Sequence, residues 1–103
     1  MFIAIYFFEV HPGKDQQFIQ SWKDLTELIL EFEDSLGSRL HKENENKYIA
    51  YAQWKSEEQW KNAGGNLPEF AASIRVMMKE ACSKIETIHE LEMIEDLLVA
   101  NPK

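Results

Sequence analysis

The sequence predicts an α+β fold in which helices cover one face of a four-stranded antiparallel sheet. Three observations predict this class. Residues 2–10 form an apolar, aromatic-rich run that ends at a turn signal, and residues 14–32 change to helical periodicity. A hairpin, a second helical region and a last extended run then follow. Since the period of apolar residues distinguishes strands from helices, the predicted order is β-α-β-β-α-β.

Composition limits the chain to one domain and excludes several classes of function. The 103 residues are 45% hydrophobic, enough for one core over residues 1–103 with a tail from about residue 97. The net charge of −7 disfavours nucleic acid and anionic membrane surfaces as partners. The apolar start lacks a basic residue ahead of it and a small-residue cleavage pattern, and the single cysteine, Cys82, has no internal partner. We therefore expect a cytoplasmic location, with Cys82 buried and inert.

The first strand is predicted over residues 2–10, before Pro12-Gly13, and both of its faces are apolar. One face carries Ala4, Tyr6 and Phe8, and the other carries Ile3, Ile5 and Phe7. The helix that follows, over 14–32, is amphipathic. Its apolar residues recur at spacings of four, three, four and three: Phe18, Trp22, Leu25, Ile29 and Phe32.

The middle of the chain predicts a hairpin and a helix in two pieces. Residues 38–43 and 48–54 are extended runs joined by a polar, Asn-containing turn. Ser56 and Gln59 have the spacing of a capping box, so a short helix begins there. After Gly64-Gly65-Asn66, a proline in a first helical turn opens a further helix to about residue 82. Its expected apolar stripe is Phe70, Ile74, Met77 and Ala81, with Met77 and Met78 in the core.

The end of the chain allows two interpretations. Residues 85–94 suit a helix with apolar residues at threes, and residues 88–94 equally alternate as a strand. We predict a strand over about 86–96, since the helix before it must end, and this strand completes the ferredoxin-like β-α-β-β-α-β unit. Helices would then cover only one face of the first strand. Because soluble monomers avoid exposed apolar rows, Ile3, Ile5 and Phe7 predict a homodimer through the other sheet face, which is a dimeric α+β barrel.

Several segments in this order resemble the antibiotic biosynthesis monooxygenase family over nearly the whole chain. The likeness lies in His11-Pro12-Gly13-Lys14 before a helix with Phe18 and Trp22, Leu36-Gly37-Ser38-Arg39-Leu40, Tyr48–Trp54 followed by Lys55-Ser56-Glu57-Glu58, and Pro68-x-Phe70. The resemblance implies an oxygenase that needs no metal and no cofactor, and a small aromatic quinol or phenol as substrate. It implies a pocket between the helices and the sheet.

The resemblance indicates candidate site residues. Tyr6, Trp54 and Glu69 are the candidates for catalysis, and Trp60, Phe70 and Ile74 are the candidates for the pocket. For the aromatic residues the alternative is ordinary core packing. Many family members have Ser-Pro-His-Phe where this chain has Leu67-Pro68-Glu69-Phe70. Glu69 would act as a base only if burial raised its pKa, and the alternative is an exposed first-turn carboxylate.

Histidines and other motifs narrow the alternatives. Haem-degrading relatives use an asparagine, a tryptophan and a histidine, and this chain has Tyr6 and Ala63 at the first two places and no histidine between residues 66 and 82. Haem of that type is therefore not expected. His11, His41 and His89 lack metal-ligand spacing, although His41 and His89 could contact an anionic substrate near Arg39. Two hypotheses remain: a cofactor-independent monooxygenase, and a non-catalytic dimeric small-ligand-binding or accessory protein.

Overall fold

A computed structural model describes residues 1–99, and its elements follow the predicted order. The elements are β1 (Phe2–Val10), α1 (Asp15–Phe32), β2 (Ser38–Asn44), β3 (Lys47–Trp54), α2 (Glu57–Lys61), α3 (Ala71–Ala81) and β4 (Cys82–Glu92). The strands form one antiparallel sheet in the order β2-β3-β1-β4. This confirms the predicted ferredoxin-like α+β fold.

The core lies between the helices and the face of β1 that carries Tyr6 and Phe8. In the register with β3, Ala52 is opposite Ala4 and Ala50 is opposite Tyr6. Ala50 leaves room for the ring of Tyr6 on the neighbouring strand, and Ile29 of α1 packs against the cluster that contains Ala4 and Ala52. Phe18 of α1 then fills the centre, with its ring centroid 4.9 Å from that of Phe8.

The apolar face of α1 is as predicted except at its last turn. Phe18 and Leu25 are buried, and Trp22 and Ile29 are half-buried against the core. Phe32, predicted to be inside, is exposed. Its neighbour Glu33 takes the inward position instead, because its carboxylate accepts hydrogen bonds from the loop before α3.

The hairpin and the short helix also form where the sequence predicts them. Asn46, with φ of 63°, closes the turn between β2 and β3, and asparagine tolerates this left-handed backbone better than most residues. The Ser56 hydroxyl accepts the backbone N–H of Gln59 at 3.1 Å. The predicted N-cap of α2 is thereby confirmed.

The buried face of α3 differs from the predicted stripe. Phe70 is 59% exposed and Met77 is also exposed, whereas Ala71 and Ala81 are buried and Met78 packs on the core. Residues 71, 74, 78 and 81 also recur at helical spacing, so periodicity alone did not distinguish the two stripes. The stripe with the small alanines is the buried one because it lets α3 pack closely. The Gln17 amide of α1 also donates a hydrogen bond to the Met77 carbonyl of α3 at 2.8 Å.

The last strand is shifted toward the amino terminus relative to the prediction of 86–96. It begins at Cys82, directly after α3, and ends at Glu92. The reason is the length of its partner, since β1 pairs from Val10 opposite Cys82 to Phe2 opposite Glu92. Residues 93–99 are irregular, and the last part of the predicted tail, 100–103, lies outside the described residues.

The second face of β1 is less exposed than the sequence predicts. Ile3 is only 4% exposed in the single chain, although it lies on the face of β1 opposite to the helices. Ile5 and Phe7 are half-buried. The expected apolar row therefore shrinks to Ile5 and Phe7.

Candidate functional site

A mainly apolar cavity of about 190 Å³ lies between the helices and the sheet. Its apolar walls come from α1, α3 and three strands: Phe8, Trp22, Leu25, Ile29, Ala52, Met78 and Ile85. The wall residues that carry a polar side-chain group are Tyr6, Thr26, Ser35, Ser38 and Trp54. An apolar pocket with a few polar groups is the usual form of a small-molecule site.

Tyr6 extends from β1 toward the helices, and its hydroxyl is held by Trp60 of α2. The Trp60 indole Nε1–H donates to the Tyr6 Oη at 2.7 Å. An indole N–H is a donor only, so the Tyr6 oxygen is the acceptor in this bond. The Tyr6 O–H therefore remains available to donate a hydrogen bond to a molecule in the cavity.

Burial keeps the Tyr6 hydroxyl protonated. Burial is the main cause, and it raises the pKa of Tyr6 above its usual 10.0. The hydrogen bond from Trp60 lowers this pKa by a smaller amount than burial raises it, and the negative charge of Glu90 raises it further. A phenol with a raised pKa is neutral throughout the physiological range. Near neutral pH the protonated Tyr6 hydroxyl can therefore donate a hydrogen bond, and it is not available as a base.

Trp54 closes β3 and offers a second donor. Its side chain is 4% exposed. Its indole Nε1 is buried, and within residues 1–99 it has no hydrogen-bond partner. A buried donor without a partner costs about 1–3 kcal/mol, so such groups are rare in folded proteins.

The structure places only part of the predicted site around the cavity. Tyr6 and Trp54 border it together. Trp60 contacts it indirectly, through Tyr6, and packs its ring 5.1 Å from Phe2. Among the described residues, Glu69, Phe70 and Ile74 are not part of its wall; Glu69 and Phe70 are exposed in the turn before α3, and Ile74 is half-buried.

Sequence reasoning missed the hydroxyl side of the cavity. Ser35, Ser38 and Thr26 border it, and the Ser38 hydroxyl donates to the Tyr51 carbonyl at 2.8 Å. The alternation of side chains along β2 could have predicted one of these residues. Ser38 is opposite Ala52 and therefore lies on the helix-facing side of the sheet. Ser35 precedes the strand and carried no such signal.

The loop between α2 and α3 is held by a carboxylate at the end of α1. The Glu33 carboxylate accepts hydrogen bonds from the backbone N–H groups of Gly64 and Asn66 and from the Asn66 side chain. Gly64 has φ of 109°, a backbone that disfavours other residues. Glu33, at the carboxyl end of α1, therefore holds this loop in place. No pattern in the sequence predicted this role.

The described residues hold neither a cluster of metal ligands nor a membrane-spanning helix. No group of three or more His, Cys, Asp or Glu side chains within residues 1–99 lies together as metal ligands would. Within the same residues, no helix has the length and apolar character needed to cross a bilayer. His11, His41 and His89 are all exposed.

Comparisons with known proteins agree with this fold. A sequence profile of the antibiotic biosynthesis monooxygenase family matches residues 1–76, and no curated protein matches. SnoaB, a cofactor-independent oxygenase from Streptomyces nogalater, superposes with a TM-score of 0.74 at 14% identity, over 93% of this chain and 95% of SnoaB. A Caulobacter crescentus protein proposed to be an antibiotic biosynthesis monooxygenase gives 0.72 at 21% identity, over 91% and 90%. By its sequence over residues 1–76, the chain belongs to the antibiotic biosynthesis monooxygenase family.

Proposed function

We propose that this protein is a cofactor-independent monooxygenase that oxidises a small phenol or quinol in the cavity between α1 and the sheet. The observation that carries the proposal is an apolar cavity whose wall holds two side chains with donor groups, Tyr6 and Trp54, the second with an Nε1–H that has no partner within residues 1–99. The free O–H of Tyr6 lies at the same cavity. Two donors and apolar walls are what a phenolate oxygen requires in a site with little water.

The chemistry follows from the electron-rich character of a phenolate. The bound phenolate transfers one electron to dioxygen, and the resulting radical pair combines to form a carbon–oxygen bond and a ring peroxide. Cleavage of the peroxide O–O bond and loss of water then give a quinone. For a phenol, one dioxygen is consumed, one oxygen atom enters the ring and the other leaves as water. Tyr6 and Trp54 stabilise the negative oxygen of the phenolate.

The proton of the substrate leaves without help from a base in the wall. Within the described residues, no histidine or carboxylate borders the cavity. The substrate must therefore ionise by its own acidity, aided by the two donors, which favour its charged form. We expect the rate to rise with pH through the pKa of the bound phenol.

The size of the cavity selects a one-ring substrate. An apolar protein cavity of about 150 Å³ is known to hold benzene. The cavity here measures about 190 Å³, enough for a single substituted ring. Larger fused-ring molecules would require the walls to move.

The test is oxygen uptake with a panel of one-ring phenols and quinols under ¹⁸O₂, beside a boiled sample. We expect uptake above the boiled control, with one labelled oxygen atom in the product. Trp54→Phe, which removes the N–H, should lower turnover by about 10²-fold, as expected for the loss of one donor to a developing anion. No uptake with any member of the panel would refute the oxygenase proposal.

A non-catalytic small-ligand-binding protein is the second candidate, favoured by the absence of an acid or base from the described cavity wall. It has the same fold and the same cavity. Calorimetry with the same phenols separates the two candidates, because saturable binding without oxygen uptake supports only the binding protein.

We further propose that the chain forms a homodimer through the sheet face of Ile3, Ile5 and Phe7. Helices cover the opposite face of β1, while Ile5 and Phe7 remain half-exposed in the single chain. Burying each large apolar side chain contributes roughly 1.5–3 kcal/mol. A second sheet, related by a two-fold axis, would cover this face on both copies.

A further inference from the structure

The hydrogen bond between Trp60 and Tyr6 joins the cavity wall to a residue that lies outside it. Tyr6 is part of the wall, whereas Trp60 is not. The two residues lie on α2 and β1, 54 positions apart in the chain, and the Trp60 Nε1 is 2.7 Å from the Tyr6 Oη. Within residues 1–99 the Tyr6 hydroxyl has no other hydrogen-bond partner. The orientation of this hydroxyl therefore depends on Trp60.

The direction of this hydrogen bond limits what the Tyr6 hydroxyl can do. Because an indole nitrogen only donates, the hydrogen of Trp60 lies between Nε1 and the Tyr6 oxygen. The hydrogen of Tyr6 cannot occupy the same space, so it points to another side of its own oxygen. Donation from Trp60 also polarises the Tyr6 O–H and strengthens it as a donor. Trp60 therefore holds Tyr6 as a donor toward a ligand oxygen beside it.

The indole of Trp60 is itself held by packing. Its ring centroid lies 5.1 Å from that of Phe2. The ring packs against the buried cluster that contains Phe2, Ala4 and Trp54. Within α2, Gln59 and Trp60 are half-buried and the other residues are exposed. The ring of Trp60 is thus fixed by the sheet, and its N–H is fixed by Tyr6.

One charged group beside Tyr6 opposes negative charge at the same place. Glu90 of β4 is opposite Ala4 on the helix-facing side of the sheet, and its charge raises the pKa of Tyr6. Lys61 of α2 is already paired with Glu57 at 2.7 Å. Apart from Tyr6, no ionisable side chain within residues 1–99 borders the cavity. A phenolate bound beside Tyr6 must therefore be stabilised by donated hydrogen bonds.

Resting on the proposed function, we propose that Trp60 is a positioning residue, which acts through Tyr6 and makes the cavity select a ligand oxygen that accepts a hydrogen bond. A phenolate oxygen meets this condition best, because its negative charge strengthens the bond that it accepts. Trp60 lies outside the cavity wall. Loss of its N–H should therefore change the ionisation of a bound phenol without removing a contact to that phenol.

The test measures the ionisation of a bound phenol by absorbance, under nitrogen so that no oxidation occurs. The probe is 4-nitrophenol, a one-ring phenol whose colour reports its charge. Tyr6→Phe should raise the pKa of the bound probe by about one to two, as expected for the loss of one hydrogen bond to a charged group. Trp60→Phe keeps an aromatic ring and loses the N–H, and it should raise the pKa of the probe by about 0.5, a part of the same effect.

A double-mutant cycle determines whether Trp60 acts through Tyr6. In the Tyr6→Phe background, Trp60→Phe should cause no further rise in the pKa of the probe. The matched control is Phe2→Leu, which weakens the packing on Trp60 and keeps its N–H. This control should leave the pKa of the probe at its native value. Urea denaturation should show one cooperative transition for every variant.

Three outcomes would contradict the inference. An equal rise in both backgrounds, or no rise in Trp60→Phe, would overturn it while the cavity still binds the probe. A similar rise in Phe2→Leu would also overturn it, because packing and not the N–H would then be the cause. Absence of saturable 4-nitrophenol binding to the native protein would refute the proposed function, and the inference with it.

Discussion

The Tyr6→Phe variant removes one hydroxyl and distinguishes a structural role of that hydroxyl from a role in catalysis. In the folded chain the Tyr6 oxygen accepts the Trp60 Nε1–H at 2.7 Å, and its own O–H is left for the substrate. The variant keeps the ring and loses both interactions. Trp60 is only half-buried, so water can replace the lost acceptor.

The two roles predict effects of different size. A neutral hydrogen bond contributes about 0.5–1.5 kcal/mol to stability, so the free energy of unfolding should fall by no more than about 1.5 kcal/mol. A donor that acts on a developing anion is worth about 10²–10³ in turnover. Because that contact strengthens as negative charge develops, kcat and kcat/KM should fall together.

The measurements are urea denaturation and oxygen uptake, with Tyr51→Phe as the matched control. The Tyr51 hydroxyl donates to the Gln53 side chain at 3.0 Å, on the other face of the sheet. The control should lose similar stability and retain turnover. Unchanged turnover in Tyr6→Phe, or an equal loss in both variants, would refute the assignment of Tyr6 as a donor to substrate.

Four further outcomes are expected. Because the pKa of Tyr6 is raised, no step of the pH–rate profile between pH 6 and 9 should belong to it, and substrates of different acidity should shift the rising limb in parallel with their own pKa. Glu33→Ala should lower the free energy of unfolding by about 2 kcal/mol in urea, since several loop donors lose a charged acceptor, whereas the exposed Glu31→Ala should change it by less than about 0.5 kcal/mol. Burial raises the pKa of Cys82 to about 11, so iodoacetamide at pH 8 should leave the native thiol intact by mass spectrometry and label it only after unfolding. In sedimentation measurements, the native protein should have about twice the chain mass and the Phe7→Asp variant should be a monomer. The same substitution at the exposed Phe32 should leave the dimer intact. A monomeric native protein would contradict the proposed dimer.

The sequence identified the elements because each depends on local chemistry. The two apolar faces of residues 2–10, the Ser56 cap and the Asn46 turn are properties of a few adjacent residues, and all three have the structure that their residue types favour. The resemblance to the family, together with the strand alternation, also predicted Tyr6 on the helix side of the sheet, where Trp60 binds it.

Boundaries and burial on α3 and β4 were beyond the sequence because they depend on partners. Two stripes of α3 have helical spacing, and only contact with α1 and the sheet decides that Met78 is inside and Met77 outside. The end of β4 at Glu92 is set by the pairing of that residue with Phe2. Neither the buried face of α3 nor the end of β4 can be predicted from the residues of that element alone.

For this protein, the sequence by itself determined the fold class, the family and the two faces of the first strand, since apolar periodicity and local turn chemistry are carried along the chain. The tertiary structure decided which side chains meet: Tyr6 and Trp54 share a cavity, and Glu69 lies away from it. The reason is that a site depends on distances between residues far apart in the chain, and packing alone sets those distances.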